Sequence, residues 1–149
     1  MPKRVVKKSQ AVGDPTIIWN TFIDLIAERP EDLDPEQRPA HFVLIYEVEV
    51  QNGGHLQYFH NHRNAHLEET LSALTLLGAE CQREILEAAA ALFEIRPRER
   101  PETPQEYSTI AIQGEFESFD KQFHECIPPL GELLGKHLTE HATTYIDLI

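Results

Sequence analysis

The sequence predicts an all-α fold, a single compact multi-helix domain of about six to eight helices. Three observations carry that reading. Apolar residues recur every three or four positions through most of the chain. Twice an aspartate stands directly before a proline, at Asp14-Pro15 and Asp34-Pro35, which places a cap acceptor ahead of a residue preset for the first helical turn. Glycine or proline punctuates the gaps between the periodic segments. With 149 residues, 41% of them apolar, the chain can bury one good core, whereas two halves would each be thin.

Taken in order, Lys3, Arg4, Lys7 and Lys8 crowd the first eight residues, so 1–13 reads as a basic flexible tail and 14–149 as the helical domain. Behind Asp14-Pro15, the spacing of Ile18, Phe22, Leu25 and Ile26 predicts a helix over 15–28. Behind Asp34-Pro35 a second helix starts, with Gln37 as its capping-box partner. The stretch 42–50 ends in an apolar-acidic alternation like a strand, while its caps favour a helix, and the residues alone leave the two even. Gly53-Gly54 is a sharp break, followed by a short helix to about 61. Leu67, Leu71, Leu74 and Leu77 mark the next helix, stopped by Gly78. Cys81, Ile85, Ala88, Ala89 and Leu92 lie on an alanine-rich helix whose small side chains suit it to the centre of the fold. The proline-spaced, charged segment 96–104 predicts an exposed connection open to proteolysis. Phe116, Phe119 and Phe123 stripe a later helix, and Pro128-Pro129 opens a last one through Leu130, Leu133, Leu134, Leu138 and Ile146. Little in the pattern calls for a sheet.

Beyond the basic tip, 25 acids face nine bases, a formal charge of −16 over 141 residues. Such a field repels nucleic acid and anionic membranes and attracts basic protein surfaces. No apolar run approaches the ~18 residues of a spanning helix and no apolar leader is present, so a cytoplasmic protein is expected. Cys81 and Cys126 stand far apart without C-x-x-C spacing, which points to two reduced, buried thiols.

Three constellations bear on chemistry. His55, His60, His62 and His66, with His41 nearby, form a histidine cluster, in which only His62 and His66 share a face, and only on an unbroken helix. His137-Leu138-Thr139-Glu140-His141 spells H-x-x-E-H, two zinc ligands one turn apart, but only eight residues follow and a catalytic zinc needs a third protein ligand. The carboxylate pairs Glu47/Glu49, Glu68/Glu69 and Glu115/Glu117 read as solvated faces. No nucleophile elbow, phosphate loop or dinucleotide fingerprint is present. The sequence therefore predicts neither an enzyme nor a cofactor.

The densest feature is the run 52–61. Asn52, Gly53, Gly54, Gln57, Tyr58, Phe59 and Asn61 spell N-G-G-x-x-Q-[YF]-F-x-N, and an apolar helix ending in Leu77-Gly78-Ala79 follows. Phe116 to Phe123 adds an acidic-aromatic helix. Together these resemble a bacterial family of unknown function (DUF4375-like) that includes a Neisseria DNA mimic, an acidic helical protein that binds a transcription factor in place of DNA. His55 departs from the pattern, standing where the family usually carries an aromatic. The resemblance selects helix for 42–50. It implies an acidic protein-interaction domain, a transcription factor or other basic protein as partner, and a homodimer. Glu68, Glu69, Glu80, Glu84 and Glu87 would present the charge.

The box itself reads two ways. As an architectural joint, Asn52 caps a broken helix end, Gln57 and Asn61 satisfy freed backbone groups, and Tyr58 and Phe59 fill the space beneath. As a groove floored by Gly53 and Gly54, it would grip a partner through Tyr58 and Phe59. The groove suits an immunity or antitoxin-type inhibitor. A metal- or small-molecule-binding enzyme centred on His62, His66, His137 and His141 is the remaining alternative.

Overall fold

A computed structural model describes residues 2–95 and 100–149. Strand β1 (Arg4–Val6) and helix α1 (Lys8–Gly13) precede α2 (Ile17–Ile26) and a 3-10 turn at Pro30–Asp32. Then come α3 (Arg38–His62), α4 (Leu67–Leu76), α5 (Glu80–Glu94), α6 (Pro104–Ile112), α7 (Glu117–Glu125) and α8 (Leu130–Tyr145), and strand β2 (Ile146–Leu148) ends the run. The fold is the predicted all-α domain.

Helix α3, not the alanine-rich α5, is its axis. It packs against α2, α4, α7 and α8, whereas α5 packs chiefly on α4 and α7. The cause lies in the sequence. Ala40, Phe42, Val43, Leu44, Tyr46 and Val50 are all buried, and a helix apolar on most sides belongs inside. The strand-like end of 42–50 resolves as a helix because Tyr46 and Val50 point inward four residues apart while Val48 stays exposed. Ahead of its start Gln37 supplies one half of the predicted capping box, its Oε1 accepting from the Asp34 N–H at 3.0 Å, while its own N–H donates to the Asp34 backbone carbonyl at 2.9 Å. Its Nε2 donates to the Thr144 carbonyl, also at 3.0 Å, so the cap of α3 also fastens the end of α8.

Three expectations need correction. Residues 4–13, read as a flexible tail, form β1 and α1. β1 pairs in parallel with β2 in the register Arg4↔Ile146, Val5↔Asp147 and Val6↔Leu148. Val6 is buried, Arg4 meets Glu28 at 2.9 Å and Lys3 meets Asp147 at 3.8 Å, so the basic tip folds onto the acidic body. The small sheet is itself unforeseen, because each strand is too short to show a period. Of the expected connection 96–104, 96–99 lie outside the described residues and 100–103 carry no helix, and α6 begins at Pro104, its Thr103 cap accepting from the Glu106 N–H. Finally, Cys81 and Cys126 are not free thiols but a disulfide. Packing of α5 on α7 brings their Cα atoms to 6.0 Å, inside pairing range, a proximity that a separation of 45 residues conceals. Next to the bridge the Ile127–Pro128 peptide is cis, and buried Gln82 donates to the Pro128 carbonyl.

Candidate functional site

The glycine corner is a kink inside α3. Gly53 and Gly54 leave helical geometry, and Gly54 takes a left-handed φ of 73° that suits only glycine. The helix restarts at His55 with its first N–H groups free of intrahelical partners. Asp120 of α7 supplies one acceptor: its Oδ1 takes the His55 backbone N–H at 2.8 Å and the His55 Nδ1–H at 2.7 Å. A carboxylate can only accept, so Nδ1 carries a proton, and Nε2 on the far side of the ring meets the Tyr46 hydroxyl at 2.7 Å. His55 thus fills the place of an aromatic plug and is held at both ring nitrogens.

A tyrosine, a histidine and an aspartate in hydrogen-bonded sequence have the outline of a catalytic relay. Here both Tyr46 and His55 are 0% exposed, so no substrate reaches the ring or the hydroxyl. The relay is a clamp between α3 and α7.

The amides of the box bind one another and Glu49 rather than the backbone. Asn61 donates to Glu49 Oε2 at 2.6 Å, Gln57 donates to the same oxygen at 3.4 Å, and Asn52 donates to Gln57 Oε1 at 3.3 Å. These bonds cross the kink and fix its angle. Gln57 also covers Gly53, where a Cβ would lie 2.8 Å from the Gln57 Cβ, and Asp120 covers Gly54, where a Cβ would lie 2.9 Å from the carboxylate carbon. Tyr58 and Phe59 are 3% and 1% exposed. Phe59 stacks on Phe93 of α5 at 4.7 Å, and both aromatics serve the core. The sequence does not single out Asp120 or Tyr46, and it reads Glu49 only as part of a solvated face, since what makes these residues important is contact across the kink and, for Asp120, across 65 residues.

The histidines divide. His41, His62 and His66 line one cleft of about 470 Å³, together with Tyr58 and Asn61. α3 ends at His62, and Arg63 and His66 take left-handed φ values of 49° and 60°, so His62 and His66 do not share one helical face. His41 donates through Nδ1 to the Ile26 carbonyl at 2.7 Å, and burial holds its pKa below the ordinary value. His66 bonds Glu69, which with Arg38 keeps that carboxyl below the usual carboxylate range. His60 turns elsewhere, its ring against Tyr107.

His137 and His141 border a second cleft of about 490 Å³, their rings 4.7 Å apart. α8 departs from helical geometry at His141, and His137 Nε2 is engaged with the Tyr145 hydroxyl at 2.6 Å. Burial, then the neighbouring His141, lowers the His137 pKa. Among the described residues no group of three or more His, Cys, Asp or Glu is arranged to hold a metal ion.

The acids behave as solvated faces. Glu68 and Glu69 on α4 and Glu80, Glu84 and Glu87 on α5 are all exposed. Arg83 lies between Glu80 and Glu87, at 3.0 and 2.9 Å. Glu47 differs: it is half-buried, desolvation raises its pKa, and its Oε2 has no hydrogen-bond partner.

The profile of the DMP19-like protein family matches residues 31–141, from the 3-10 turn to the kink of α8. The chain belongs to that family. No curated protein and no solved structure matches it. In this DMP19-like chain the matched span contains the box, the clamp on α7 and the acids of α4 and α5, while the β1–β2 pairing lies outside it. None of the described helices is long and apolar enough to cross a membrane.

Proposed function

We propose that the protein is an acidic interaction domain that acts as a DNA mimic, occupying the nucleic-acid site of a basic DNA-binding protein. Membership of the DMP19-like family carries this reading, and the formal charge of −12 with solvent-facing carboxylates on α4 and α5 supports it. Glu68, Glu69, Glu80, Glu84 and Glu87 are the residues assigned to the contact. Carboxylates stand in for phosphates through charge and acceptor oxygens, so association should be fast and strongly dependent on ionic strength.

The inhibitor reading has less to support it. It needs the glycine corner open, and Asp120 and Gln57 occupy the space above both glycines.

The test is capture from a lysate of the native cell with elution in salt steps, run beside a Glu80→Lys/Glu84→Lys/Glu87→Lys variant. A DNA-binding protein that leaves at moderate salt and is not retained by the variant is the expected result. A partner that is indifferent to salt and equally retained by the variant contradicts it. The three acids are exposed, and the ion pairs that Glu80 and Glu87 make with Arg83 lie on the surface, where such pairs contribute little, so the fold survives the reversal.

A further inference from the structure

Leu76 is an apolar residue without a core to join. It falls beside the Leu67, Leu71, Leu74, Leu77 stripe and is 65% exposed. Two clefts meet at it, one of about 490 Å³ against α8 and one of about 590 Å³ along α4, and both are also lined by Pro35 and Pro39. They are therefore two halves of one groove. Its shared wall is built from two prolines and a leucine, which offer no side-chain polar group and, in the prolines, a fixed backbone. Leu77 and Leu133 extend the apolar lining on one side, Phe42 and Ala73 on the other.

The rim is acidic. Glu36 and Glu140 stand on the α8 side and Glu68 and Glu69 on the α4 side, against Lys136 and Arg38, and Arg38 is already engaged by Glu69 at 3.0 Å. An apolar floor between carboxylates complements one kind of surface, a helix with leucine-like residues on one face and lysine or arginine flanking them. We propose that the groove through Leu76 binds such a basic amphipathic helix of the partner protein, with one apolar side chain in each cleft. This rests on the acidic-interaction reading above and adds to it an anchor that charge alone does not provide.

Two synthetic lysine-rich helices of about 20 residues test it. One carries leucine at i, i+4 and i+7 and the other alanine at the same positions, with equal charge, and binding is measured by fluorescence anisotropy at low and moderate salt. The leucine peptide should bind wild-type protein about tenfold more tightly than the alanine peptide, the gain from burying one or more leucine side chains. Leu76→Glu should remove that difference even though it adds a negative charge, with circular dichroism unchanged because the site is exposed. Equal binding of the two peptides, or tighter binding of the leucine peptide to Leu76→Glu, means that only charge is read and overturns the groove while leaving the acidic surface standing. Failure of both peptides to bind at low salt overturns the acidic reading together with the groove.

Discussion

At the scale of single residues, Asp120 and Gly54 depend on each other. A carboxylate that caps a restarting helix must come close to the backbone, and only a residue without Cβ admits it. Gly78 also has a positive φ, at 78°, but open space around it, whereas Gly54 combines its φ with a ψ of −175° and with Asp120 above it. Gly78→Ala should cost about 1 kcal/mol, the left-handed strain alone, whereas Gly54→Ala should cost roughly 3 kcal/mol because the methyl also displaces Asp120. In an Asp120→Ala background the Gly54→Ala cost should fall, yet stay above that of Gly78→Ala because the ψ of −175° at Gly54 remains unfavourable for any residue with a Cβ. Equal costs for the two glycines in wild-type protein, read from urea unfolding, would contradict this account of the corner. Two histidines make a separate prediction. Burial depresses the pKa of His41 and His137 below the ordinary 6.5, against the opposing Ile26 carbonyl at His41 and with His141 assisting at His137. The unfolded chain then binds more protons as pH falls through that ordinary value, so stability declines until pH passes below the depressed folded values. Urea midpoints should be lower at about pH 6 than at about pH 7.5, and a flat or rising midpoint contradicts the assignment.

At the scale of elements, the sequence was most legible where a period or a cap was long enough to read. The Gln37 half of the capping box, the break at Gly53-Gly54, the α4 stripe and its stop at Gly78 all appear in the structure. What escaped were short or non-local features. The three-residue strands carry no readable alternation, α6 is nine residues with little amphipathic pattern, and the clamp from Asp120 joins positions that only tertiary packing brings together. The box was legible as unusual but not as to purpose, because amides that bind one another across a kink have the same composition as amides that bind a partner. The disulfide belongs to the same class of hidden contact. Closing a loop across 45 residues restricts the unfolded chain, so reduction with dithiothreitol should lower unfolding stability by about 2–4 kcal/mol, and Cys81→Ser should do the same without reductant. Unchanged stability together with two titratable thiols in the untreated protein would show that the pair is not bridged in solution.

For the whole molecule, two kinds of surface coexist on a rigid core. In the proposed function the acids of α4 and α5 supply a long-range field, and the groove through Leu76 supplies a short-range apolar contact at its edge. The proposed mimicry needs both, since electrostatic attraction brings any basic protein near, while shape and desolvation select among them. Reversing Glu80, Glu84 and Glu87 should therefore slow association and flatten its salt dependence, whereas Leu76→Glu should mainly speed dissociation. Stopped-flow mixing with the captured partner separates the two effects, and identical kinetic signatures for both variants would contradict the division of labour. The central claim, that this surface occupies a DNA site, is tested most directly by displacement. The captured partner is bound to labelled DNA and titrated with the protein at several salt concentrations. Full release of the DNA without a ternary complex, needing more protein as salt rises, is the predicted result. A stable ternary complex of protein, partner and DNA would contradict it.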